Sequence, residues 1–165
     1  MADRTSLFLS QLSAVDRKLL QMSVHMNPVI VANADGNCSF RESSAIAAAV
    51  RKLISDEQYR PLLLVAGHED ISDAALRVMV DMHTKDLDGY LKQIAGLLQS
   101  LPDDAAEAYR KFTWHAIITV AEASRDGLLG LLGDKISAAE RTVLRRMVEV
   151  LELPIDEASR GKLGA

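Results

Sequence analysis

The chain has 165 residues, 48% apolar and 25% charged, which suits one soluble domain with a substantial core. Aromatics are only 4%, so that core must come from Ala, Leu, Ile, Val and six Met, a palette that favours close helix packing over a β-sandwich. A net charge of −4 argues against a nucleic-acid partner, and a single cysteine, Cys38, excludes an internal disulfide or a Cys-based zinc cluster.

The opening "MADRTSLFLSQLSAVD" has no long apolar run and no clear cleavage site, so no secretory signal is expected. No segment approaches the roughly 18 uninterrupted apolar residues of a membrane span. With the lone cysteine, this points to the reducing cytoplasm.

Periodicity predicts helices almost throughout. The first covers most of residues 5–34, capped by Asp3, Thr5 or Ser6, with Leu9, Leu12, Leu19, Leu20 and Met26 at helical spacing. Asn27-Pro28 should interrupt it, as a kink or as the start of a new helix. Asp35-Gly36 ends this pattern. Ser39 and Glu42, at capping-box spacing, start the next helix, whose face carries Ile46, Ala49, Val50 and Leu53.

Ser55 with Gln58 repeats the device for a short helix ending at Gly67. A fourth helix is expected over 69–82, with Ile71, Ala75, Val78, Met79 and Met82 inward. A fifth, over 85–99, has Leu87, Leu91, Ile94, Leu97 and Leu98 inside. Pro102, Asp103 and Asp104 open the sixth, which runs through Trp114, Ile117 and Ile118 to about Ser124. After a "LLGLLG" loop at 128–133, Ser137 starts the seventh, striped by Val143, Leu144, Met147, Val148 and Leu151 and stopped by Pro154. A short polar helix around 156–161 follows.

Two parts of the chain correspond. Ser39, Glu42, Ile46, Ala49, Val50 and Leu53 match Ser137, Glu140, Leu144, Met147, Val148 and Leu151 at one constant offset. Upstream, "VANADG" resembles "VAEASRDG", and the Leu-Gly loop absorbs the difference in spacing. The expected architecture is therefore all-α, a single bundle over 1–165 of seven to eight helices, with a duplicated helix pair at about 16–54 and 103–153.

"NADGNCSFRESSA", residues 33–45, is the stretch richest in oxygen-bearing side chains. Placing Gly36 sixth in an EF-hand register puts Glu42 twelfth, Asp35 fifth and Asn33 third. The first position is then Val31, which offers no side-chain oxygen. The stretch reads first as a helix stop and start. A looser hard-cation site, using Asp35, Glu42 and an acid from the other half, would suit Ca²⁺ or Mg²⁺ better than zinc.

An Asp-Gly corner after an Ala-rich helix, followed by Ser-x-x-Glu and a Leu-ended stripe, resembles the tellurite-resistance TerB-like family. The second copy, "DKISAAERTVLRRMVEVLELP", fits that pattern well. The resemblance implies a compact helical bundle without a catalytic triad, acidic residues that bind a divalent cation, and stress-resistance roles beside membrane or chaperone partners. It would make Asp35 the corner aspartate, with Glu42 and Glu140 as the two helix-start glutamates. The second copy departs from it: Ser124 aligns with Asp35, and Asp126-Gly127 is displaced.

Other features carry less chemistry. His25, His68, His83 and His115 form no metal motif, and His115 beside Trp114 reads as a core histidine. His83 with Asp81 and Asp86 reads as a solvated turn rather than a transition-metal site. Cys38 reads as a half-buried small residue rather than a redox thiol. Arg141, Arg145 and Arg146 form a basic ridge that Glu149 and Glu152 can neutralise, the sharper alternative being a dock for an acidic partner. The Leu-Gly loop either folds under the bundle or projects as an apolar patch. The expected function is a non-enzymatic TerB-like stress-response or protein-interaction module. The alternative is a small-ligand carrier or enzyme using the bundle interior.

Overall fold

A computed structural model describes residues 4–59, 62, 71–123 and 137–163. The helices are α1 (Arg4–Gln11), α2 (Ala14–Ala32), α3 (Phe40–Ile54), α4 (Asp73–Thr84), α5 (Leu87–Ser100), α6 (Asp103–Ala123), α7 (Ala138–Leu151) and α8 (Glu157–Leu163). A 3-10 turn at Glu57–Tyr59 follows α3, and the described residues contain no strand. No described helix is long and apolar enough to cross a membrane.

α2 is the axis of the bundle. From Leu19 to Ala32 every residue except Gln21 is buried, and α3, α4, α5, α6 and α7 all pack on it. A helix that is apolar on all sides is stable only when surrounded, which this one is. The surrounding helices each present a single stripe. α3 gives Ser43, Ile46, Ala47, Val50 and Ile54; α5 gives Tyr90, Leu91, Ile94 and Leu98. α6 gives Tyr109, Phe112 and Ile117, with Ala105, Ala106 and Ala116 allowing close approach. α7 adds Leu144, Met147 and Leu151.

Several expectations change. The break near the start of the chain falls at Ser13, not at Asn27-Pro28. Ser13 caps α2, its Oγ accepting from the Asp16 amide at 3.0 Å. Pro28 lies inside α2, where it has no N–H for the preceding turn, and the helix continues because packing encloses it. Ser55 does not start the following turn: its hydroxyl donates back to Lys52 O at 2.7 Å, and Asp56 accepts from the Gln58 amide at 3.1 Å instead. α4 starts at Asp73, capped by Ser72, later than expected. Its buried stripe is Leu76 and Val80, while Val78 and Met82 are exposed. α8 is anchored by buried Ser159 and Leu163, so it is less polar than its composition suggests.

The corresponding helices α3 and α7 share some features and not others. Ser39 and Ser137 each immediately precede the first helical residue, and Ile46 and Leu144 are both buried. Ala49 and Leu53 are only half-buried where Met147 and Leu151 are fully buried. α3 packs on α2, α4 and α6, whereas α7 packs on α5 and α2.

The core contains one continuous polar chain. Tyr90 Oη donates to Asn27 Oδ1 at 2.7 Å, and Asn27 Nδ2 donates to Tyr109 Oη at 3.0 Å. Ser23 Oγ lies 2.7 Å from Tyr109 Oη and donates its own proton to Leu20 O at 2.7 Å. Tyr109 must therefore be the donor to Ser23. Burial pushes the Tyr109 hydroxyl up to about 12 and Tyr90 well above its ordinary value, so both stay neutral. Replacing Asn27 with Leu strips partners from both tyrosines. Asn27→Leu should lower unfolding free energy by about 2–4 kcal/mol in urea melts, and Tyr109→Phe by a smaller 1–2 kcal/mol or so.

Candidate functional site

The corner at 33–39 is built as a helix stop. The Asn33 amide donates to Val29 O at 2.9 Å, and Gly36 adopts φ 77, a left-handed conformation that favours glycine. Asp35 is exposed, and its Oδ1 accepts from the Asn37 amide at 2.9 Å, which closes an Asx turn. Asn33 Oδ1 at the same corner is shielded from solvent with no hydrogen-bond partner. Cys38 is buried, more fully than expected. Glu42 lies in the first turn of α3, and its side chain falls outside the described residues.

Glu140 is engaged in a capping box. Its Oε2 accepts from the Ser137 amide at 2.9 Å, and its own amide donates to Ser137 Oγ at 3.1 Å. Asp35 and Glu140 thus each hold a backbone amide at a helix end. Among the described residues, no three His, Cys, Asp or Glu side chains come together as a metal site. The Leu-Gly segment at 128–133, Asp126-Gly127 and His68 lie outside the described residues.

The histidines sort differently from expectation. His115 is exposed, and its Nδ1 meets the Tyr59 hydroxyl. Burial and then the nearby Asp56 charge raise the Tyr59 hydroxyl above its ordinary value, which keeps it a donor. The core histidine is His25 on α2. His83 is half-buried, tilted against the Tyr90 ring at 4.8 Å between centroids, and desolvation lowers it below the ordinary imidazole value. Its Nε2 has no partner, while Asp86 caps α5 by accepting from the Gly89 amide. Sequence reasoning missed Ser23, His25 and Asn27. Their signal was present: three polar residues in an otherwise apolar run, with Ser23 and Asn27 one turn apart on one face.

The arginine ridge links helices. Arg146 donates to Asp88 on α5 at 2.7 Å and to Glu149 at 2.9 Å, and the hydrogen bond from Arg146 holds the Asp88 carboxyl below its ordinary value. Arg145 donates from Nε to Leu163 O on α8 at 3.0 Å. Glu152 does not pair within α7. It meets Arg110 of α6 at 3.3 Å, and Arg110 also donates to Leu151 O.

Concavities open on the surface of the described residues. One, of about 410 Å³, lies between the start of α2 and α4, with Val15, Leu19, Met79, Met82 and His83 in its walls. Another, of about 500 Å³, lies between α7 and α8, over Val148, Leu153 and Ile155 with Arg145, Glu149, Glu152 and Arg160 around them.

Burial, then the Arg51 charge, lowers His25 from 6.5 to about 4. His25 is thus neutral in the fold at neutral pH, while in the unfolded chain it takes up a proton below about 6.5. The unfolded state binds more protons between those values, so this contribution is intact above pH 6.5 and disappears as pH falls toward 4. Its full size is about 3 kcal/mol. Urea melts across pH 4–7 should therefore show stability rising with pH, and His25→Gln should flatten that part of the slope. No protein-family model, curated protein or solved structure matches this chain.

Proposed function

We propose that the chain is a non-enzymatic, TerB-like stress-response module of the cytoplasm, which acts by presenting a surface to a protein partner. The observation that carries this reading is the α2–α4 face. Val15 is 74%, Val78 66% and Met82 51% exposed, beside the apolar concavity walled by Leu19 and Met79. Large apolar side chains grouped at a concave surface are characteristic of partner sites, and methionine adapts to irregular partners. The family resemblance supplies the class of partner, a chaperone or a membrane-associated protein. Support for the duplicated helix pair comes from the paired starts after Ser39 and Ser137 and from the buried Ile46 and Leu144.

The proposal includes a weak site for Ca²⁺ or Mg²⁺ at Asp35, Glu42 and Glu140. The unpartnered Asn33 Oδ1 beside Asp35 supports it, since a carbonyl oxygen is a hard-cation ligand. The capping-box role of Glu140 counts against strong binding there.

Cells expressing the chain should survive tellurite better than empty-vector controls. The Val78→Lys, Met82→Lys double variant should fold normally by circular dichroism yet lose that protection; a parent chain that protects no better than vector refutes the stress-response reading. In a calcium or magnesium titration, amide resonances of Asp35, Glu42 and Glu140 should move selectively. Spectra unchanged at all three to millimolar metal would remove the cation site and leave the interaction surface standing.

A further inference from the structure

The groove between α7 and α8 has features that the interaction reading does not use. Its floor is aliphatic: Val148, Ile155 and a nearly buried Leu153. The chain is turned back over this floor by Glu152, at φ 55, and by the Leu153 amide, which donates to Val148 O at 3.1 Å. The charges on its rim are not equivalent. Both carboxylates are already paired with arginines outside the groove: Glu149 with Arg146, and Glu152 with Arg110. Neither Arg145 nor Arg160 has a carboxylate partner among the described residues. Arg145 is bonded to the Leu163 carbonyl, a neutral acceptor that fixes the guanidinium. Arg160, exposed on α8, supplies a second guanidinium.

We propose that this groove binds a small aliphatic carboxylate, a medium-chain fatty acid anion, with its chain on Val148, Leu153 and Ile155 and its carboxylate between Arg145 and Arg160. The complementarity is twofold. An apolar floor selects a chain that loses contact with water. A guanidinium offers parallel N–H donors matched to a carboxylate, and one already fixed by Leu163 loses little freedom on binding. The volume, about 500 Å³, falls within the range of small-molecule sites. This site is separate from the α2–α4 face, so it stands or falls independently of the partner surface.

The test is an octanoate titration of the full chain followed by amide shifts, with octylamine and acetate as comparison probes. Octanoate should move the resonances of Val148, Leu153, Ile155 and Arg160 together, with acetate and octylamine at least about five-fold weaker. Arg160→Glu, at an exposed position, should weaken octanoate binding by about ten-fold without changing the melting temperature. Ile155→Ala should also weaken octanoate binding, through the floor. Equal binding of octylamine, shifts centred on Val15 and Met82 instead, or an unchanged affinity in Arg160→Glu would each overturn the proposal. So would a peptide ending in a free leucine carboxylate that binds this groove when octanoate does not.

Discussion

The architecture depends on one side-chain amide, that of Asn27. It sits near the middle of α2 and is held on one side by Tyr90 of α5 and on the other by Tyr109 of α6. Each fully buried Leu or Ile around it contributes about 1.5–3 kcal/mol, while each net hydrogen bond contributes about 1. Stability therefore comes mainly from aliphatic packing. The amide contributes selectivity. Many rotations of an all-round apolar helix bury similar area, but few also give Asn27 both tyrosines and give Ser23 its place beside Tyr109. Sliding α2 by one turn would break all three of these buried hydrogen bonds, at a cost larger than any single packing adjustment.

The same constraint explains why Pro28 does not break the helix. A proline in a helix interior removes one backbone hydrogen bond and sets its ring against the carbonyl one turn back, which ends or kinks a helix that nothing else holds. Here the residues on both sides of Pro28 are buried, α2 as a whole packs against five other helices, and Asn27 is fixed by side-chain bonds to two of them. Leaving the helical path at Pro28 would disrupt those bonds. Tertiary packing overrides a local stop signal, and the break appears instead at Ser13, where a hydroxyl cap is available and the side chain is exposed to water.

What was legible in the sequence follows the same division. The helical class, the capped start at Ser137, the corner at Gly36 and the faces of α5 and α7 were readable because local chemistry determines them. The face of α4 was not. Val78, Met79 and Met82 are as apolar as Leu76 and Val80, so periodicity alone allows the stripe to rotate, and only packing against α2, α3 and α5 selects Leu76 and Val80. That misreading is itself informative: the side chains expected inside are the ones that form the exposed α2–α4 face. Asp35 and Glu140 were correctly placed at helix ends, where each holds a backbone amide.

The arginines show how a surface that looks redundant in sequence becomes differentiated in three dimensions. Arg141, Arg145 and Arg146 read as one basic ridge. In the fold, Arg146 faces α5 and pairs with two carboxylates, whereas Arg145 faces α8 and, among the described residues, bonds to a carbonyl rather than a carboxylate. A carbonyl bond orients a guanidinium without cancelling its charge, so adjacent residues differ in the field they project. Glu152 sharpens the difference, because its left-handed backbone turns its carboxylate toward Arg110 and away from intrahelical pairing. The guanidiniums of Arg145 and Arg160 then stand with Glu149 and Glu152 around the apolar floor of Val148 and Leu153. The juxtaposition of charge and floor arises from the turn at Glu152, and a helix continuing straight through that residue would separate them.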